Sequence, residues 1–158
     1  MYNYSDDSVI LGILAALGLG ILLIFLIYYI LSALVFYNTA KTNGPSDLAF
    51  LGWIPIANTY LLFAFGSKKE SMEEVKKDAL IWIIIYVVLL LLMSVPLIGW
   101  LASLASIIIY YYFMYRVLYR WAGETGLAII LLILSIPTGG LVFYIYGLMK
   151  MKQPFVEA

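Results

Sequence analysis

Cysteine and histidine are both missing from this 158-residue chain. Without cysteine there is no disulfide, thiolate nucleophile, iron–sulfur ligand or thiolate metal site, and without histidine the commonest metal ligand and near-neutral proton shuttle are gone as well. Charge is scarce too. Nine basic and nine acidic residues cancel, and no run of five or more Lys or Arg offers a surface for a phosphate backbone, which excludes nucleic acid as a partner. Residues 9–37, 79–115 and 127–149 hold no Asp, Glu, Lys or Arg. An intramembrane enzyme or proton-coupled pump needs such a group within the bilayer, so the expectation is a chain that is not an enzyme and uses no cofactor or metal.

What fills the chain instead is apolar: 65% of its residues, with a mean hydropathy of +1.04, against about 45–50% apolar in soluble domains. The reading is a single all-α integral membrane domain, 1–158, with the lipid bilayer as its first partner. The segment before the first apolar run carries Asp6 and Asp7 but no Lys or Arg, and that run is about twice the length of a signal peptide's apolar core. A retained helix is expected.

Residues 9–37 form the first predicted span, about 43 Å of helix against a hydrocarbon core of about 30 Å, which implies tilt or extension past it. Gly12, Ala16 and Gly20 recur every fourth residue and share a face where another backbone can come close. Packing within the chain is the expected use of that face, with a homodimer seam as the alternative. Tyr28, Tyr29 and Tyr37 suit an aromatic belt at the cytoplasmic interface. Residues 38–47 read as a turn punctuated by Gly44-Pro45, with Ser46 or Asp47 capping the next segment.

Residues 49–66 are apolar enough for a membrane yet broken in the middle. Pro55 cannot donate a backbone hydrogen bond and is expected to leave the Leu51 carbonyl without its donor, while the Asn58 amide needs partners that lipid does not supply. Residues 67–78 carry most of the charge. Within them Ser71-Met72-Glu73-Glu74 is a capping box, Glu73 faces Lys76 and Lys77 at helical spacing, and Met72, Val75 and Ala79 form an apolar stripe. A solvated juxtamembrane helix is expected there. Residues 79–95 and 97–115 then make a helical hairpin through the turn at 94–99, and Arg116, Arg120 and Trp121 mark the exit from lipid, with Arg116 snorkelling to the interface. The last apolar run, 127–149, is interrupted at Ile136-Pro137-Thr138-Gly139-Gly140.

Sliding the chain on itself by 82 residues matches 12 of 50 positions, among them Tyr28/Tyr110, Tyr29/Tyr111, Gly44/Gly126, Pro55/Pro137 and Lys68/Lys150. This predicts a parallel internal repeat, units 9–68 and 97–150, with 69–96 as a charged helix plus linking span. If both Pro-broken segments re-enter, three helices span, the N-terminus is outside, the C-terminus is cytoplasmic and all nine Lys and Arg lie on the cytoplasmic side. The alternative is four to five spans; if both segments cross, five result, and the basic residues split six against three at best. The positive-inside rule therefore favours re-entry over the crossing or kinked alternative.

Ala40-Lys41-x-x-Gly44 followed by Gly52-Trp53-Ile54-Pro55-Ile56-Ala57-Asn58-x-Tyr60 resembles a set of small, uncharacterised prokaryotic multi-pass membrane proteins with a repeated Trp-Ile-Pro-Ile-x-Asn-type motif. The likeness covers residues 28–66 well and the second half loosely, since Ser135 to Gly140 lacks the Trp, the second Ile and the Asn. It implies a prokaryotic plasma-membrane protein and supplies no activity.

Asn58, Ser32, Ser94, Ser103, Ser106, Ser135 and Thr138 are the polar side chains within apolar runs that could meet a solute. Serine in a helix more often returns its hydroxyl to its own i−4 carbonyl. The expected function is that of an accessory, scaffold or immunity-type subunit that associates with another membrane protein or with itself; the alternative is a small channel or carrier built on the two broken segments. Gly12, Ala16, Gly20, Trp53, Pro55, Asn58, Tyr60, Pro137, Gly139 and Gly140 are the candidate structural or interaction residues.

Overall fold

The computed structural model describes the backbone of residues 4–156 and the side chains of 8–156. Asp6 and Asp7, expected on the outer side, fall outside the described side chains. Every regular element among the described residues is helical.

The first helix, α1 (Tyr4–Asn43), runs 40 residues, about 60 Å. The turn expected at 38–47 shrinks to residues 44 and 45, because nothing before Gly44-Pro45 breaks the helix and Asn38 returns its amide to the Leu34 carbonyl at 2.8 Å. Pro45 then disfavours helix at the residue before it. A 3-10 helix comes next (Ser46–Trp53), with Pro45 and no side chain at its cap. Neither Ser46 nor Asp47 caps it; Asp47 is drawn away to Lys76 instead.

Residues 54–57 turn the chain, and α2 (Asn58–Gly66) brings it back. The return is fixed at both ends. At the turn, the Tyr29 hydroxyl donates to the Trp53 carbonyl at 2.7 Å; at the far end, a Cβ on Gly44 would meet the Phe65 ring at 2.7 Å. The second broken run behaves alike. α5 (Thr125–Ser135) and α6 (Leu141–Lys150) are joined by a turn at 136–140, whose Thr138 carbonyl accepts from the Tyr28 hydroxyl at 2.8 Å. The tail after α6 returns to the end where α1 and α4 stop: the Asn43 amide donates to the Gln153 carbonyl and the Val156 amide to the Arg120 carbonyl, both at 2.8 Å. Both runs double back, so neither is a kinked single helix.

Between the hairpins in sequence come α3 (Met72–Leu92) and α4 (Gly99–Ala122), which pack side by side, α3 also against α2. Ser71 caps α3 by accepting from the Glu74 amide at 3.3 Å, and Lys77 pairs with Glu73 at 2.7 Å. Lys76 does not join them, since Asp47 takes it at 2.7 Å. Val75 and Ala79 of the expected stripe are buried, while Met72 stays exposed. α4 ends at Gly123, whose φ of 71° gives the left-handed cap that returns its amide to the Tyr119 carbonyl.

α1 and α4 are long and apolar enough to cross a membrane and are compatible with insertion in one. α3 carries Lys76, Lys77 and Asp78 in its opening turns, and its helix ends at Leu92 because residues 93–98 form the turn, which shortens the predicted span 79–95.

The core lies at the basic end, where α1, both hairpins and α4 converge. Phe63 meets Phe113 with ring centroids 4.7 Å apart, Trp121 meets Phe143 at 5.4 Å, and Phe36 stacks on Phe65 at 5.9 Å. Gly52 lets the 3-10 helix press on α1: a Cβ there would sit 2.7 Å from the Tyr37 backbone nitrogen. Above Tyr28 no other described element covers α1 over residues 9–27. Residues 8–27 are exposed throughout, and Gly12 and Gly20 have open space on their Cβ side. The expected packing of the Gly12, Ala16 and Gly20 face inside the chain is therefore incorrect, because both hairpins turn back at the level of Tyr28 and Tyr29.

Candidate functional site: the polar cluster between the hairpin turns

Four helices bring polar side chains to one place at mid-height. Ser32 on α1 is buried and accepts from the Asn58 amide at 3.0 Å. The Tyr144 hydroxyl on α6 lies beside Ser32 and beside Tyr110 on α4. Tyr28 packs edge-on against Tyr144, with ring centroids 6.3 Å apart, while its hydroxyl holds the Thr138 carbonyl. Sequence and packing cooperate here: four residues separate Tyr28 from Ser32, so helical spacing puts both on one face of α1, the face against which α6 packs.

The arrangement clamps the hairpin turns. Each exposed turn would otherwise present a free carbonyl, and in apolar surroundings an unmet polar group costs several kcal/mol. Tyr28 and Tyr29 meet that need at Thr138 and Trp53. Both, expected in an interfacial belt, thus donate within the chain, Tyr29 while remaining exposed. A signal existed: both are repeated at offset 82 as Tyr110 and Tyr111.

Of the other candidate residues, Asn58 is in the cluster and donates to its own chain. Pro55 sits exposed in the first turn, and the Leu51 carbonyl it was expected to orphan accepts from the Ile54 amide at 3.1 Å. Pro55 ends the helix; it does not interrupt one. Trp53 is partly exposed beside Tyr29. Tyr60, a candidate structural or interaction residue, is buried with its hydroxyl 3.3 Å from the Lys76 carbonyl. Pro137 and Gly139 are exposed in the second turn, and Gly140 is buried with a φ of 89° that suits a residue without a side chain. Gly12, Ala16 and Gly20 lie away from the cluster on the free part of α1.

Ser106, Ser135 and Thr138 return their hydroxyls to the carbonyls of Ala102, Leu131 and Leu134 at 2.7–2.9 Å, as helical serine and threonine do. The arginines serve the fold in a way that their place in the sequence does not reveal. Arg116 Nε donates to the Gly66 carbonyl at 3.2 Å and Arg120 Nη1 to the Phe65 carbonyl at 2.6 Å. Two cations thus cap the C-terminus of α2, where carbonyls lack helical donors and the dipole is negative; snorkelling alone does not describe Arg116. No group of three or more acidic residues that could hold a metal occurs among the described residues.

No protein family model, curated protein or solved structure matches the chain.

Proposed function

We propose that this chain is a non-enzymatic integral membrane protein of a prokaryotic plasma membrane that acts by association, as an accessory, scaffold or immunity-type subunit docked on another membrane protein or on a second copy. The observation that carries the reading is the free part of α1. Residues 9–27, about 28 Å of helix, are exposed throughout and present Gly12, Ala16 and Gly20 on one open face. In lipid, small residues on one face permit the close backbone approach that drives helix pairing. Apolar length in excess of the hydrocarbon core adds a second drive, because mismatch is relieved by tilt or by oligomerisation.

The proposed topology has α1, α3 and α4 spanning and the two hairpins re-entering from the cytoplasmic side. α3 runs beside α4 between the same two ends, so a bilayer crossed by α4 is crossed by α3. The parallel repeat is supported by reciprocal packing: α1 holds the 3-10 helix of its own hairpin and α6 of the other, while α4 holds α5 of its own and α2 of the other. The alternative, a small channel or carrier, draws on the polar cluster; but Ser32, Asn58 and Tyr28 make bonds to one another or to backbone, which supports a structural use.

The test is substitution of Gly20 by Leu, with Ala16→Leu beside it. Melting stays unchanged, since both side chains point into open space, while copurified partners or cross-linked dimers are lost. Retained association, together with solute flux from the lone reconstituted protein, would replace the subunit reading with the carrier.

A further inference from the structure

A groove of about 460 Å³ opens on the side of the molecule between the first hairpin and α3. Leu48, Leu51 and Ala57 form one wall, climbing from the basic end toward the hairpin turn, and Leu80 and Ile83 form the other, climbing in the same direction. Lys76 and Lys77 line its lower end. Seven residues of helix separate Lys76 from Ile83, about 10 Å. The groove is thus an apolar channel with two ammonium groups at its mouth, aligned along the helices that would cross the bilayer.

The lysines are not alone there. Asp47 holds Lys76 and Glu73 holds Lys77, each at 2.7 Å, and all four side chains keep substantial exposure. Exposed pairs of this kind are worth little, so a ligand with its own charges can exchange into them. The mouth carries two cations and two anions, a balance that a singly anionic headgroup does not match. A headgroup with a phosphate and a primary ammonium does: the phosphate takes Lys76 and Lys77, and the ammonium, with three N–H donors, takes the released Asp47 and Glu73 carboxylates.

We propose that this groove is a binding site for an aminophospholipid of the phosphatidylethanolamine type, one acyl chain lying between the hairpin and α3 and the headgroup exchanging into the Lys76–Asp47 and Lys77–Glu73 pairs. The proposal requires the chain to lie in a bilayer but no protein partner, so failure of the association reading leaves it standing.

The full chain is purified in detergent with equal amounts of phosphatidylethanolamine, phosphatidylglycerol and phosphatidylcholine, and native mass spectrometry reads the retained lipid. Phosphatidylethanolamine is retained over phosphatidylcholine by about tenfold, the size of a charge-assisted hydrogen bond that a quaternary ammonium cannot make. Asp47→Asn with Glu73→Gln abolishes that preference, and Lys76→Ala lowers retention of both zwitterionic lipids. Leu80→Trp, on a half-exposed side chain, fills the groove and releases the lipid without altering melting. Equal retention of all three lipids, or indifference to Leu80→Trp, overturns the site in favour of non-specific surface lipid. Preferred retention of phosphatidylglycerol overturns it in favour of a simple cationic site. The carboxylate variants lie on exposed side chains clear of the core, so the result stays decisive if Lys76→Ala disturbs folding.

Discussion

Ile56 has a φ of 72° in the first hairpin turn, a left-handed conformation that costs an L-residue about 1–2 kcal/mol and is least natural for a β-branched one. The second hairpin turn uses Gly139 and Gly140 for its positive-φ positions. Ile56→Gly is therefore expected to raise stability by about 1 kcal/mol, net of the entropy glycine loses on folding, read as a higher melting temperature; a lower one would mean that the exposed isoleucine side chain contributes more than its backbone costs. Asp47 makes a second residue-scale prediction. The Lys76 ammonium bonded to it holds its carboxyl below the ordinary value of 3.8, against a smaller opposing effect of desolvation. Because the folded-state value is the lower one, the pair's contribution is complete above 3.8 and is lost as pH falls through the depressed value. NMR titration of labelled aspartate carboxyls should show Asp47 protonating at lower pH than in a Lys76→Met variant. Identical titration in both would remove the pair from the folded state in solution.

At the scale of elements, the decisive contact is the 3-10 helix against α1. A Cβ on Gly52 would lie 2.7 Å from the Tyr37 nitrogen and 3.3 Å from the Ala33 carbonyl, and backbone on the far side cannot rotate away as a side chain can. Gly52→Ala is expected to cost about 1–3 kcal/mol, as overpacking does elsewhere. Gly20→Ala, with open space around it, should cost nothing in the same unfolding measurement and gain up to about 1 kcal/mol from helix propensity. Equal effects would mean that the hairpin does not press on α1.

For the whole molecule the question is which ends face which compartment. With both hairpins doubling back, Lys69 after α2 and Gln153 after α6 share the end where α1 and α4 stop. Cysteines placed at Lys69 and Gln153 should both be shielded from an impermeant thiol reagent in intact cells, while one at Asn3 labels. Labelling at Lys69 with protection at Asn3 would invert the topology. Labelling at Lys69 and Asn3 together, with Gln153 protected, would make both broken runs crossing segments.

Composition and periodicity alone determined that this chain is helical, that it is rich enough in apolar runs for a bilayer and that two of those runs break at Pro55 and Pro137. These are local properties: a missing N–H ends a helix wherever it occurs, and the Ser71 cap and the Glu73–Lys77 pair need only neighbours within one turn. Only the tertiary structure decided what the broken runs do. A helix ended by proline can bend, cross or return, and the choice depends on distant donors such as Tyr28 and Tyr29, whose hydroxyls find the Thr138 and Trp53 carbonyls 110 and 24 residues away. The same distance hid the pairing of Asp47 with Lys76 and the capping of α2 by Arg116 and Arg120. It also hid the isolation of Gly12, Ala16 and Gly20, since a small-residue face reads alike whether its neighbour lies in the same chain, in another or in lipid.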